Sequence, residues 1–312
     1  MIVAVTGGTG FIGRKLVARL LARGDTVRLL SRSPESFAHH PQLQPLRCDL
    51  TTAQTGELTD LLEGVEVLFH CAAQLEDERL MRALHVEGTR KLAEAASHRI
   101  AHWVQLSSVG VYGPVYEGVV SEDSAPNPVG EYEVTKAESD RIAVAGAERG
   151  GYSCTILRPS NVFGADMSNL SLFGLVSKID RGLFFFIGRP GASANYIHVD
   201  NVVEALLLCA ALPAAHGRVY NLSDQRTMEQ LVNTIADALG RPAPRLHVPK
   251  MVASLMAATF GRMPGFPLTP SRVQALTLRT IYPVTRIEQE LGYHHVITME
   301  EGLRELVRAY RR

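Results

Sequence analysis

Within its first thirteen residues the chain passes from an apolar run, Ile2-Val3-Ala4-Val5-Thr6, through Gly7-Gly8-Thr9-Gly10 into a helical pattern that holds Gly13. That order restricts the fold severely. An apolar run without alternation reads as a strand buried on both faces, the habit of parallel sheets covered by helices. Gly7 permits a tight turn, Gly10 lets the backbone come close to a pyrophosphate, and Gly13 allows the helix to pack closely on the strand. The N–H groups of Phe11, Ile12 and Gly13, with the positive end of the helix dipole, then face the phosphates.

The same alternation continues. Residues 26–30, 45–48, 66–70, 102–107 and 152–158 read as further strands, and 10–23, 52–62, 77–98 and 131–148 as helices. Short apolar strands separated by amphipathic helices predict an α/β fold, a doubly wound parallel Rossmann-type sheet with right-handed crossovers. Beyond Arg158 the order loosens, with strands expected at 195–198 and 218–222 and a helix at 202–211. A length of 312 residues suits a dinucleotide-binding domain over 1–165, to which 190–222 return, and a smaller, mostly helical substrate-binding lobe from 166–189 and 223–312. The apolar stretch 251–260 is expected in the core of that lobe, with a lipophilic substrate wall as the alternative.

Lys and Arg number 32, as do Asp and Glu, so the formal charge is zero and no nucleic-acid or membrane surface is expected. Cys48, Cys71, Cys154 and Cys209 lack metal-ligand spacing, so free thiols and no metal are expected. The first residues show no basic region followed by a long apolar segment, and no apolar run reaches the roughly 20 residues a bilayer demands. A cytoplasmic protein is the expectation.

Two further groups of residues point to chemistry. At the end of the second strand Leu30-Ser31-Arg32-Ser33 carries no acid to hold a ribose 2′-hydroxyl. Ser31 and Arg32 suit a 2′-phosphate instead, which favours NADP over NAD. Asp49, followed by Leu50, is placed to meet the adenine, and Ala72 and Ala73 are small enough for backbone to pass the cofactor. Tyr132 and Lys136 stand four apart on a helix, one turn from each other on one face, and Ser108 follows the fifth strand. An ammonium beside a phenol, together with a cationic nicotinamide, is expected to lower the phenol from its ordinary pKa of about 10, making Tyr132 an acid–base group with Ser108 on the substrate oxygen.

Taken with His70-Cys71-Ala72-Ala73, Val86-Glu87-Gly88-Thr89, Ser107-Ser108-Val109-Gly110, Leu157-Arg158-Pro159-Ser160-Asn161-Val162 and Tyr196-Ile197-His198-Val199-Asp200, these motifs resemble the extended short-chain dehydrogenase/reductases, the epimerase/dehydratase type. The resemblance implies a Ser108–Tyr132–Lys136 triad, cofactor contacts from Pro159 and Val162, substrate contact from Asn161, and a homodimer through helices 77–98 and 131–148. A nucleotide-sugar is the substrate it implies first, reduced or epimerised at a keto or hydroxyl carbon. Two departures matter. His85 stands where the family has Asn, with either a structural or a substrate-protonating role. Ser193-Ala194-Asn195 lacks the arginine that clamps a sugar-nucleotide diphosphate, leaving Arg189, Arg272 or Arg279 to substitute. A sterol-like or other lipophilic alcohol is the alternative substrate, and a non-catalytic NADP-binding sensor or scaffold the alternative of another class.

Overall fold

The computed structural model describes residues 1–37, 39–167, 170–261 and 268–312. From the N-terminus the chain runs β1 (Ile2–Thr6), α1 (Phe11–Ala22), β2 (Thr26–Ser31), β3 (Leu43–Arg47), α2 (Thr55–Leu62) and β4 (Val67–His70). One helical run follows, made of α3 (Glu78–Arg82), a π-helical stretch (Ala83–Gly88) and α4 (Thr89–Ala96). Next come β5 (His102–Leu106), β6 (Glu117–Val119), α5 (Glu131–Gly150), β7 (Ser153–Pro159) and β8 (Asn161–Phe163). Then follow α6 (Ser171–Asp180), β9 (Phe186–Ile187), β10 (Ser193–His198), α7 (Val199–Ala211), β11 (Val219–Leu222), β12 (Asp224–Thr227) and α8 (Met228–Leu239). The C-terminal part holds β13 (His247–Val248), α9 (Lys250–Phe260), α10 (Pro270–Ala275), β14 (Arg279–Ile281), α11 (Thr285–Leu291) and α12 (Met299–Tyr310).

Seven strands pair in the order β11-β7-β5-β4-β1-β2-β3, each neighbour parallel. Leu16, Val17 and Leu20 of α1 pack with Val202, Val203 and Leu206 of α7 on one face. Leu58 and Leu62 of α2, Leu92 of α4 and Ala143 of α5 cover the other. Because both faces are covered, β4 and β5 are buried at every residue, and their polar members His70, His102 and Gln105 are hydrogen-bonded. This is the doubly wound sheet that the sequence predicts. Strand order reverses between β1 and β4, so a crevice opens beyond the carboxyl ends of those two strands. A separate cluster, with Leu172 and Val176 of α6, Leu231 and Ile235 of α8, and Leu303 and Leu306 of α12, builds a second core.

One expectation fails. Residues 251–260 form α9, yet only Ala253 and Ala257 of that stretch are buried. These two alanines, one turn apart, lay the helix against Leu268 and Val273, and a contact so narrow turns the larger side chains outward. All four cysteines are free, Cys154 and Cys209 buried and the other two half-buried. Among the described residues no helix is long and apolar enough to cross a membrane, and no cluster of His, Cys, Asp or Glu is arranged to hold a metal ion.

Candidate active site

The glycine turn lies at the switch point. Gly7 has φ +69°, and a Cβ there would stand 2.6 Å from the Ala72 amide nitrogen. Only glycine lets β1 and the segment after β4 approach so closely. A Cβ on Gly13 would be driven into the Gly7 carbonyl oxygen, which explains the close helix–strand contact. Gly10 differs: it is exposed, and its Cβ would meet nothing nearer than the Gly7 oxygen at 3.2 Å. As N-cap of α1 it offers no side chain to the first-turn amides, and that turn holds no acid. An open, uncapped, glycine-lined helix N-terminus fits a dinucleotide pyrophosphate. Ile12 packs on the sheet core, while the Phe11 ring packs against the second core. Together with the Arg14–Asp166 ion pair at 2.6 Å, Phe11 couples this helix to the chain beyond β8.

Further along the rim, Ser31 is buried and its hydroxyl oxygen accepts from the Ser33 amide at 3.0 Å, leaving Arg32 exposed. A second cation, which the sequence did not single out, stands beside it: Arg47 donates to the Arg32 carbonyl at 2.8 Å and pairs with Glu35 at 2.8 Å. The Asp49 carboxylate accepts from the amide and hydroxyl of Thr51. These bonds hold the Asp49 carboxyl below its ordinary range against the burial that raises it, with Arg32 adding to the effect. Leu50 is buried and lies under Gly88, whose Cβ would be 3.2 Å from the Leu50 Cβ. An open groove of about 730 Å³ lies nearby between β3 and α2, and none of Ser108, Tyr132 or Lys136 lines it.

α5 presents an unusual buried face. It starts after Gly130 with Glu131 and Glu133 in its first turn and stops at Gly151, φ +69°, an arrangement matched to the helix dipole and to a left-handed cap. Its buried stripe is polar in the first half, Thr135, Lys136, Ser139 and Asp140, and becomes small and apolar at Ala143 and Ala147. Buried polar groups cost free energy unless partnered, and each of these side chains has at least one partner, although the second oxygen of Asp140 has none. Lys136, almost wholly buried, donates to the Leu106 carbonyl at 2.6 Å. Asp140 accepts from the Ser107 hydroxyl at 2.7 Å and pairs with Arg158 at 3.1 Å. The Arg158 guanidinium also stacks 5.0 Å over the Tyr112 ring, and the Tyr112 hydroxyl donates to Asn221 at 2.9 Å. Ser108 caps a short 3₁₀ turn, and its oxygen accepts from the Gly110 amide at 3.0 Å.

Without a cofactor, the surroundings of the phenol hold its proton. Burial, with the charges of Glu133 and Asp140, pushes Tyr132 up to about 12. Lys136 does not counter this in the protein alone, because its amine turns to the Leu106 carbonyl and burial pushes it below its ordinary value.

Hydrogen-bond directions around the neighbouring histidines follow from donor counting. Thr135 gives its one hydroxyl hydrogen to the carbonyls of Glu131 and Tyr132, so it accepts from His85 Nδ1 at 2.8 Å. His85 Nε2 accepts from the Gln74 amide at 2.9 Å. Thr89 gives its hydrogen to the His85 carbonyl, so His70 Nε2 donates to Thr89 at 3.0 Å and Thr6 donates to His70 Nδ1 at 2.6 Å. Both rings are therefore neutral. Burial, reinforced by Lys136, pushes His85 down to about 3 and His70 well below its ordinary value. His85 ties the segment after β4 to α5. A histidine that titrates near 6.5 when unfolded but about 3 when folded stabilises the native state above pH 6.5, and that stability is lost as the pH falls from 6.5 toward 3. Between neutral pH and pH 5, wild type should therefore lose about 2 kcal/mol relative to His85→Asn, measured by denaturant unfolding at each pH. Equal pH slopes for the two proteins would refute the neutral assignment.

A family model for the NAD-dependent epimerase/dehydratase family matches residues 3–223. The chain belongs to that family. A ketoreductase of Stigmatella aurantiaca named for 4-hydroxy-2-methyl-3-oxo-4-farnesyl-3,4-dihydroquinoline-1-oxide is 32% identical over 98% of this chain and 95% of its own. A Mycobacterium tuberculosis 3β-hydroxysteroid dehydrogenase/Δ5→4-isomerase is 27% identical over 99% of this chain and 90% of its own. Among solved structures, MoeE5 in complex with UDP-glucuronic acid and NAD is 27% identical with a TM-score of 0.76, covering 100% of this chain and 99% of that one. Family and relatives support an NAD-dependent oxidoreductase or epimerase.

Within this epimerase/dehydratase frame the remaining site residues are dispersed. Pro159 ends β7 and is buried, Val162 is half-buried in β8, and exposed Asn161 donates to the Asn195 carbonyl at 3.2 Å. Arg279 does not stand free for a diphosphate. Its guanidinium donates to the carbonyls of Arg189, Pro190 and Gly191, at 2.9, 2.7 and 3.2 Å. Arg272, on α10, lies near Lys178 of α6, which burial and then the Arg272 charge push below its ordinary value. Asp140 and Arg158 escaped the sequence reading, although signals existed: Asp140 is one turn beyond Lys136, and Arg158 is a charge inside an apolar strand.

Proposed function

We propose that the chain is an NADP-preferring oxidoreductase that interconverts a ketone and a secondary alcohol on a lipophilic substrate. What supports this is that Ser108 stands two residues beyond β5 and Tyr132 and Lys136 one turn apart on α5, with the Lys136 amine donating to the Leu106 carbonyl at the end of β5. The division into a dinucleotide-binding domain (1–165 with 190–222) and a substrate-binding lobe belongs to the same proposal.

The first-turn amides of α1 hold the pyrophosphate, Ser31 and Arg32 the 2′-phosphate, Asp49 and Leu50 the adenine side. Ala72, Ala73, Pro159 and Val162 flank the cofactor, and Lys136 reaches its nicotinamide ribose. When bound, the cofactor supplies the hydride and, in its oxidised form, a positive charge beside the phenol. Ser108, whose oxygen already accepts from the Gly110 amide, donates its hydroxyl hydrogen to the substrate oxygen. Tyr132, kept protonated by its surroundings, delivers its proton to that oxygen as it gains charge. A phenol protonated at neutral pH suits net reduction.

The lipophilic reading is supported by the engagement of Arg279, by Arg226 being paired with Asp224 and Glu300, and by the names of the Stigmatella and Mycobacterium relatives. A nucleotide-sugar is the second reading, favoured by Asn161 and by the UDP-glucuronic acid complex of the MoeE5 structure. The test is cofactor oxidation against two panels, polycyclic and prenylated ketones and UDP- or TDP-keto-sugars, each with NADPH and NADH. Turnover on the first panel with NADPH is expected, and Arg32→Ala should weaken NADPH about 10- to 100-fold while leaving NADH unaffected. Turnover confined to the second panel would overturn the substrate reading. Cofactor binding with no turnover on either would favour a sensor.

A further inference from the structure

We propose that α9 seats the protein on the surface of an anionic phospholipid bilayer. A helix apolar around its circumference is ordinarily buried or in contact with lipid, and α9 is not buried. Its exposed side chains form two adjacent ridges at four-residue spacing, Met251–Leu255 and Val252–Met256–Phe260, with Met251 86% and Leu255 66% exposed. On the opposite side only Ala253 and Ala257 touch the protein core. Thr259, beside the ridges, donates its hydroxyl to the Leu255 carbonyl at 2.9 Å, so its polar group is already satisfied within the helix and tolerates an apolar medium. Leu246, just before β13, is also exposed.

Charge selects the occupant. Residues 240–287 hold seven Lys and Arg and neither Asp nor Glu, so the zero net charge of the whole chain conceals a strongly basic segment built around α9. Arg241 and Arg286 are held by Asp180 and Asp123; Arg245 and Lys250, exposed, precede and open the helix. An apolar helix face with cations at its flank is the pattern that lies in a membrane interface and is drawn to anionic lipid. A second copy of the chain would bring the exposed Arg245 and Lys250 of each copy toward like charges, which argues against self-association. The proposal does not depend on the substrate reading, although a lipophilic substrate would be met at such a surface.

The test is flotation of the full chain, without substrate, on vesicles of phosphatidylcholine alone and of phosphatidylcholine with phosphatidylglycerol. Binding is expected on the second only, weakening as salt is raised. Met251→Gln/Val252→Gln/Leu255→Gln should abolish it, and Arg245→Gln/Lys250→Gln should reduce it about 30-fold, both with nearly unchanged melting temperature because these side chains are exposed. Wild type that floats with neither vesicle overturns the proposal. So does a wild-type dimer that the triple variant dissociates without vesicle binding, or a triple variant that only raises KM for a soluble ketone. Since flotation needs no turnover, a failure here is distinct from a failure of the proposed activity.

Discussion

Tyr132→Phe is expected to lower turnover by about a thousandfold or more while changing cofactor affinity little, because in the proposed reaction its hydroxyl is the proton donor to the substrate oxygen. The ring keeps its volume in the variant, and its edge contact with His85, 5.7 Å between centroids, survives. Losing the oxygen removes only the proton donor. Lys136→Ala should behave differently and damage both turnover and NADPH binding, since its buried amine also holds the Leu106 carbonyl at the strand end that leads to Ser108. Single-turnover kinetics with NADPH fluorescence titration separates the two effects. A Phe variant with substantial turnover would remove Tyr132 from the chemistry. The pH profile provides a second reading, since a phenol raised to about 12 by burial stays protonated, and able to donate, throughout the neutral range.

Asp140→Ala should be the most destabilising single change at the site. Asp140 is buried, accepts from Ser107, and neutralises Arg158, which is also buried. Removing the carboxylate leaves the Arg158 guanidinium unpaired and takes away the nearest negative charge to Lys136. Breaking a buried pair from one side costs about 3–5 kcal/mol, which for a chain of this size lowers the melting temperature by about 10 °C. Asp140→Asn keeps an acceptor for Ser107 and should cost less. The double variant Asp140→Ala/Arg158→Met, which removes both charges, should recover part of the loss. If the Ala variant melts like wild type, the ion pair contributes nothing to stability. The position of Asp140 also explains how α5 buries a charge: one carboxylate oxygen accepts from both Ser107 and Arg158, and the Lys136 ammonium adds a favourable charge nearby.

The local order of residues determined the fold class, because apolar runs without alternation leave no face for solvent, and Gly10 and Gly13 answer to constraints within a single strand–turn–helix unit, whereas Gly7 answers also to the approach of Ala72 from beyond β4. Tyr132 and Lys136 were legible for the same reason, as four-residue spacing fixes a shared helix face before any tertiary contact forms. Other features were decided only when distant segments met. Asp140 and Arg158 are 18 residues apart, and nothing in either sequence neighbourhood says that they pair. The neutrality of His85 depends on Gln74 and Thr135 reaching it from opposite sides. Arg279 was available as an anion ligand in the sequence and is withdrawn in the fold by three carbonyls of the 189–191 turn. α9 shows the limit most clearly: apolar composition specifies that a segment will leave water, but whether it finds a protein core or another surface depends on how much of it the surrounding elements can cover, and here they cover two alanines.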